Sequence, residues 1–277
     1  MFTLSGFADE ISPDLEEQMD VMEELDIDYI ELRGVNDKNV LDLTDEEIRE
    51  IKASMNRRGF SVSAIGSPIG KVGIEQDFGD HLERFQRALY LADFFQAPYI
   101  RLFSYYIPSG ADPADYREEV MRRMKRKTEL AEEAGITLLH ENEREIYGDT
   151  PERCRDILET VDSSHLRAIF DPANFIAIGR QPYPEAFRQL TDFIEYLHIK
   201  DAKFEEEGQT IKPAGEGEGR IGEILKELDG EGFEGFLSLE PHLAMAGQME
   251  GFSGPDAFRL AARSLKDVLQ EEGLKYK

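Results

Sequence analysis

The strongest constraint on this chain is an alternation. Along its 277 residues, short runs rich in β-branched and aromatic side chains give way eight times to longer segments whose apolar residues recur three and four apart. The runs are Phe2–Leu4, Tyr29–Leu32, Ser61–Ile65, Tyr99–Phe103, Thr137–Leu139, Leu166–Phe170, Tyr196–Ile199 and Phe236–Leu239. Between and after them, helical spacing is clearest over Asp14–Leu25, Thr44–Arg58, Asp80–Phe95, Pro113–Ala134, Thr150–Val161 and Pro255–Glu271, and shorter over Tyr183–Leu190 and Ile221–Leu228. Punctuation agrees: Ser12-Pro13, Asp112-Pro113 and Thr150-Pro151 set a capping side chain before a helix-starting proline, Thr44 and Glu47 have capping-box spacing, and Gly59 and Gly135 stand where helices should stop. Units of about 35 residues with no Pro-, Gly- or Ser-rich linker predict one α/β domain over residues 1–277, a (β/α)8 TIM barrel. On pattern alone, an open doubly wound sheet competes with it.

A barrel puts chemistry at the C-terminal ends of its strands, where the following loops converge. Those ends carry Asp9-Glu10, Glu31 and Arg33, Gly66-Ser67-Pro68, Arg101, His140-Glu141-Asn142-Glu143, Asp171-Pro172-Ala173-Asn174, His198-Ile199-Lys200-Asp201 and Glu240-Pro241-His242. Carboxylates near a barrel axis are costly unless paired or coordinated. Glu141, Asp171, His198 and Glu240 would offer a divalent cation three carboxylates and one imidazole, a set that favours Mn²⁺ or Mg²⁺ and admits Zn²⁺ or Co²⁺. The plainer alternative is a rim of ion-paired polar residues. His81 and His165 read as solvent-facing, His140 as a packed residue on the face opposite Glu141, and His242 as a substrate contact. Gly215-Glu216-Gly217-Glu218-Gly219 lacks a dinucleotide fingerprint and carries acids that repel phosphate, so it reads as a flexible or tightly turned loop over the mouth. The basic run Arg122–Lys127 reads as a solvated helix face.

Charge narrows the partners. Lys and Arg number 32 against 58 Asp and Glu, a formal −26 that opposes nucleic acid and anionic membranes, while 40% apolar residues leave ample material for a core. The single Cys154 forms no internal disulfide and reads as a half-buried helical residue. With no apolar stretch of signal or membrane-spanning length, the expected location is the cytoplasm.

Taken in order, Leu-His-Glu-Asn around Glu141, Phe-Asp-Pro-Ala-Asn around Asp171, His-Ile-Lys-Asp from His198, the Gly215–Glu218 loop and Ser-Leu-Glu-Pro around Glu240 resemble the sugar phosphate isomerase/epimerase family with its xylose isomerase-like TIM barrel. The resemblance spans nearly the whole chain. Relatives include ketose epimerases, hydroxypyruvate isomerase, inosose-processing enzymes and, more remotely, endonuclease IV. It implies one divalent metal held by Glu141, Asp171, His198 and Glu240, with Glu141 and Glu240 also serving as catalytic acid and base. Ketose epimerases often carry a histidine where this chain has Asn174, whose amide can bind a hydroxyl but cannot relay a proton. Substrate contacts are expected from Asn174, Lys200, Lys203, His242 and Arg101, with Arg33 also placed to meet a carboxylate or phosphate. The expected activity is isomerisation or epimerisation of a sugar, sugar acid or polyol through a stabilised enediolate. A dehydratase using the same base is the nearest rival; a nuclease would need more histidines than the chain's five, and a non-catalytic metabolite-binding barrel is the third. The partner so implied is a small sugar-derived molecule, with a homo-oligomer left open.

Overall fold

Strands and helices alternate around a ring in a computed structural model that describes residues 1–205, 208–243 and 253–277. The ring strands are β1 (Thr3–Gly6), β2 (Tyr29–Leu32), β3 (Ser61–Ile65), β4 (Tyr99–Leu102), β5 (Thr137–Glu141), β6 (Leu166–Phe170), β7 (Ile194–Ile199) and β8 (Phe236–Leu239). Hydrogen-bonded neighbours run β1-β8-β7-β6-β5-β4-β3-β2, each ladder parallel, and β1 and β2 lie side by side where the ring meets. This is the (β/α)8 barrel that the alternation predicts, not an open doubly wound sheet. Its strands read as continuous apolar runs because both faces are covered, one by the barrel interior and one by helices.

The helices are α1 (Leu15–Glu24), α2 (Asp45–Arg58), α3 (Phe78–Phe95), α4 (Arg117–Glu133), α5 (Pro151–Val161), α6 (Pro172–Ala177), α7 (Phe187–Leu190), α8 (Ile221–Gly230) and α9 (Gly254–Glu271). Thr44 and Glu47 form the expected capping box, and Gly59 ends α2 at φ 81°, a left-handed position that glycine takes without strain. Two segments differ from the periodicity. Pro113–Tyr116 is a tight 3-10 turn before α4, and the stretch expected as one helix over Tyr183–Leu190 has extended backbone at Tyr183, a wide π turn over Pro182–Ala186 and α-helix from Phe187.

The N-terminal end of the barrel is filled. Tyr29, Tyr99, Tyr196 and Phe236 meet edge-on or tilted with ring centroids 5.0–6.3 Å apart, and Ser5, Ser63 and the Tyr196 hydroxyl make a buried chain of 2.6 and 2.9 Å bonds above them. The polar residues at the other end therefore stand on a packed floor. No helix among the described residues is long and apolar enough to cross a membrane.

Three surface assignments are corrected. His81 is 7% exposed and packs on the Tyr105 ring, because it lies one turn before Phe85 on the inner face of α3. Within the basic run, Arg123 and Lys127 are buried: they sit four apart on the face of α4 that also buries Val120, Met124 and Ala131. Cys154 is fully buried, its thiol donating to the Gly148 carbonyl at 2.9 Å. His140 is packed as expected, bonded to the Ser104 hydroxyl at 3.0 Å, and His165 is half-buried against the Ile136 carbonyl.

Candidate metal centre at the barrel mouth

Glu141 ends β5, Asp171 follows β6 as the N-cap of α6, His198 lies within β7 and Glu240 follows β8. One donor atom from each falls within 4.8 Å of the other three, and all four side chains are buried. Asp171 is held from both directions: its side chain accepts from the Asn174 amide nitrogen at 3.0 Å, while its backbone N–H and carbonyl bond the Asn142 side chain at 2.9 Å each. His198 stands two residues beyond Tyr196 on the same inward face of β7, and the edge of Phe7 closes over its ring at 5.2 Å.

The orientation of His198 is decisive. Its Nε2 faces Glu31 Oε2 at 3.3 Å, leaving Nδ1 directed between Glu141 Oε1 and Glu240 Oε2, each 3.4 Å away, with no hydrogen-bond partner among the described residues. Asp171 Oδ2 also lacks a hydrogen-bond partner among the described residues; the Lys200 ammonium comes within 2.7 Å of it without hydrogen-bond geometry. A buried polar atom left unsatisfied calls for a partner, and an ion is one that could serve two such atoms at once. Three carboxylate oxygens and one imidazole nitrogen suit a divalent ion, and a carboxylate on the far nitrogen of the histidine is the usual support for such a ligand. Glu31, which the sequence places at a strand end without assigning it a role, is the residue that faces the far nitrogen of His198. The signal available was a lone acid inside the apolar run Tyr29–Leu32.

Cations of the chain itself surround the acids. Lys200 bonds Glu240 Oε2 at 3.0 Å, Arg101 lies 3.2 Å from Glu141 and 3.8 Å from Glu240, and Arg33 lies 3.3 Å from Glu240 and 2.7 Å from Asp9. Burial alone would raise the Glu141 carboxyl, but His198 and Arg101 hold it well below the ordinary range; burial likewise opposes Lys200, His242 and His198 at Glu240, and the cations prevail. Asp171 goes the other way: burial pushes it up to about 6, helped by repulsion from Glu240 and Glu141 against the pull of Lys200. Burial disfavours a charged His198, yet Glu141, Glu31 and Glu240 together raise it above the usual imidazole range.

The other expected contacts divide. Asn174 donates to Glu141 Oε1 at 3.1 Å, and Lys200 and Arg101 are in the cluster as described. His242 joins a second group, with Nε2 3.1 Å from Glu10 Oε1 and 3.6 Å from Glu240 Oε1, while its backbone N–H and the Ser253 hydroxyl bond the other oxygen of Glu10. Lys203 is exposed on a hairpin formed by Asp201–Glu205 and Gly208–Lys212, with no ion pair among the described residues. The glycine-rich loop is tightly turned, and its amides close on the chain's own Asp201: the N–H groups of Gly215, Gly217 and Gly219 bond that carboxylate at 2.8–3.0 Å.

Among solved structures, the zinc-bound IolI protein superposes with a TM-score of 0.78 at 17% identity, covering 98% of this chain and 99% of that one. A D-tagatose 3-epimerase-like protein superposes at 0.76 with 19% identity and 98% coverage of both chains. These likenesses show the fold. A curated 3-dehydroshikimate dehydratase from Bacillus anthracis is 25% identical over 130 residues, which is 47% of this chain and 46% of that protein. The stretch matched thus spans about half the length of that relative. The profile of the xylose isomerase-like TIM barrel matches residues 19–270, and the chain belongs to that family.

Proposed function

We propose that the protein is a divalent-metal-dependent isomerase or epimerase of a sugar, sugar acid or polyol, with Glu141, Asp171, His198 and Glu240 as metal ligands. The observation that carries this reading is the convergence of those four side chains around the unpartnered Nδ1 of His198. Mn²⁺ or Mg²⁺ suits the oxygen-rich set best, with Zn²⁺ or Co²⁺ accommodated by the imidazole. When bound, such an ion supplies positive charge beside a carbonyl whose neighbouring carbon gives up its proton.

The chain's own residues supply the rest of the chemistry. Glu141 and Glu240 come from strands three places apart in the ring, so they approach the cluster from two sides. One carboxylate can take a carbon-bound proton and the other return it. Arg101, within reach of both, favours the ionised forms that a base requires. The Asn174 amide fixes Glu141 and is placed to meet a substrate hydroxyl. Arg33 and Arg101 lie 4.4 and 4.8 Å over the Phe7 ring, which holds their guanidinium planes beside the mouth for a carboxylate or phosphate. Lys200 and His242 complete the polar wall; Lys203, on the exposed hairpin, is the weakest of the proposed contacts.

Dehydration is the second reading, favoured by the Bacillus anthracis relative. There the same base would remove the proton, the electron pair of the broken C–H bond would become the new carbon–carbon double bond, and the hydroxyl on the adjacent carbon would leave with the pair of its own C–O bond, protonated by the second carboxyl to depart as water. Incubation with Mn²⁺ and a panel of ketoses and sugar acids in deuterium oxide separates the two. Isomerisation conserves the skeleton mass and introduces deuterium at carbon, whereas dehydration yields a product lighter by one water. If a substrate is found and the Glu240→Gln variant turns it over as fast as the native protein, the catalytic assignment fails.

A further inference from the structure

Outside the barrel mouth, the densest group of unsatisfied buried polar atoms among the described residues lies around the Tyr105 ring, between α3, α4 and the loop after β4. Lys127 Nζ is 4.6 Å from the ring centroid, the Arg123 guanidinium carbon 5.2 Å and the His81 ring 5.4 Å. Each of these four residues is at most 7% exposed. Lys127 Nζ, Arg123 Nη1, His81 Nε2 and the Tyr105 hydroxyl all lack a hydrogen-bond partner among the described residues.

The charges do not balance there. Glu119, at the rim, is engaged by Arg122 at 2.7 Å and by Arg123 Nε at 2.6 Å. Arg123 is the charged group that bears on Lys127, and it has the same sign. Lysine and arginine only donate hydrogen bonds, and tyrosine and histidine can add an O–H or N–H donor beside them. What such a set accepts is a ligand with lone pairs and negative charge; the Tyr105 ring meets the ammonium on one side, and water would satisfy the remaining donors without supplying an opposite charge.

We propose that this enclosure binds one small, weakly hydrated monoanion of the size of chloride, held by Lys127, Arg123 and the Tyr105 hydroxyl. Full enclosure argues for a single-charged, compact species, because a multiply charged oxyanion loses far more hydration than these few donors return. Burial with Arg123 alongside pushes Lys127 down to about 7, so near neutral pH an anion selects its charged form. The site has a structural consequence for the mouth. Tyr105 sits at φ 72° with its N–H on the Gly70 carbonyl at 3.1 Å and its carbonyl accepting from Tyr147 at 2.9 Å. Two residues earlier, Phe103 lies under Arg101 and Lys71 at 5.1 and 4.4 Å. An anion between Tyr105 and α4 therefore anchors the loop that supports Arg101.

Thermal midpoints of the full-length protein in sodium chloride, sodium bromide and sodium gluconate at equal ionic strength test the proposal. Chloride and bromide are expected to raise the midpoint saturably by about 2–4 °C over gluconate, whose bulk excludes it from the site. Lys127→Met is expected to abolish the difference. Crystals grown in bromide should show an anomalous peak within hydrogen-bond distance of Lys127 Nζ. Equal midpoints in the three salts, halide dependence that survives Lys127→Met, or bromide crystals with no peak at Lys127 would each overturn it. Should Lys127→Met not fold, the salt series and bromide crystal of the native protein decide the matter.

Discussion

Replacing Asp201 by asparagine should unfasten the loop that borders the mouth. Asp201 is 1% exposed and accepts four backbone N–H bonds: from Ala202 and Gly219 at 2.8 Å on Oδ1, and from Gly215 and Gly217 at 3.0 Å on Oδ2. An asparagine turned either way presents its NH₂ to two of these amides, so two charge-assisted bonds are lost and donor faces donor. At about 1.5 kcal/mol for each, the low end for charged bonds because Gly215 and Gly217 are partly reached by water, the loss is about 3 kcal/mol. For a chain of this size that lowers the thermal midpoint by about 6–12 °C. Hydrogen exchange at Gly215, Gly217 and Gly219 should accelerate by about 10- to 100-fold while the strand amides keep their protection. A Cβ on Gly217 would lie 2.1 Å from Asp201 Oδ1, so Gly217→Ala should reproduce the effect from the other side. An Asp201→Asn protein that melts within about 1 °C of the native one, with those three amides still protected, would refute the idea that this carboxylate organises the loop.

Three further outcomes follow from the cluster. Mn²⁺ at a hundred times its Kd should stabilise the protein by about 2.7 kcal/mol, read as a midpoint rise of about 5–11 °C, and Asp171→Asn should show no such rise. Glu31→Gln, which disturbs the far side of His198, should weaken Mn²⁺ binding about 10- to 100-fold by calorimetry; unchanged affinity would remove Glu31 from the centre. Lys200→Met strands Asp171 and Glu240 without their shared ammonium, so it should destabilise the metal-free protein by about 3 kcal/mol and do so much less in saturating Mn²⁺. An equal loss in both conditions would show that Lys200 is not standing in as their counter-ion.

The barrel was legible because its evidence is periodic and repeated. The run Ser61–Ile65 and the capped segment from Thr44 are local patterns whose meaning needs no partner. The acids at the strand ends were legible only once the barrel was assumed, since Glu141 and Glu240 are far apart in sequence and meet only through ring closure. What stayed hidden is contact on a face. Lys127 looks like one more charge in a basic helix until α4 turns it inward beside Met124, and His81 looks exposed until Phe85 fixes the face of α3. The glycine-rich loop is tightly turned as its spacing announced; what stayed hidden is that its amides close on Asp201, a residue of the chain itself.

The balance of charge at the mouth argues for an order of binding. Asp9, Glu10, Glu31, Glu141, Asp171 and Glu240 form one network with Arg33, Arg101, Lys200, His198 and His242, and six carboxylates against three fixed cations leave a deficit of three that protons on the two histidines meet only in part. Burial disfavours protons on both His198 and His242, yet the surrounding carboxylates raise each above the ordinary imidazole range, as expected of a site short of positive charge. A divalent cation supplies what is missing, whereas a substrate carboxylate or phosphate entering first would add to the excess. Anionic substrates are therefore expected to bind after the ion. Calorimetry with a confirmed anionic substrate should detect no binding in EDTA and clear binding once Mn²⁺ saturates the protein. Equal affinity in the two conditions would mean that Arg33 and Arg101 hold the substrate on their own, and that the acids of the mouth lie too far from it to matter.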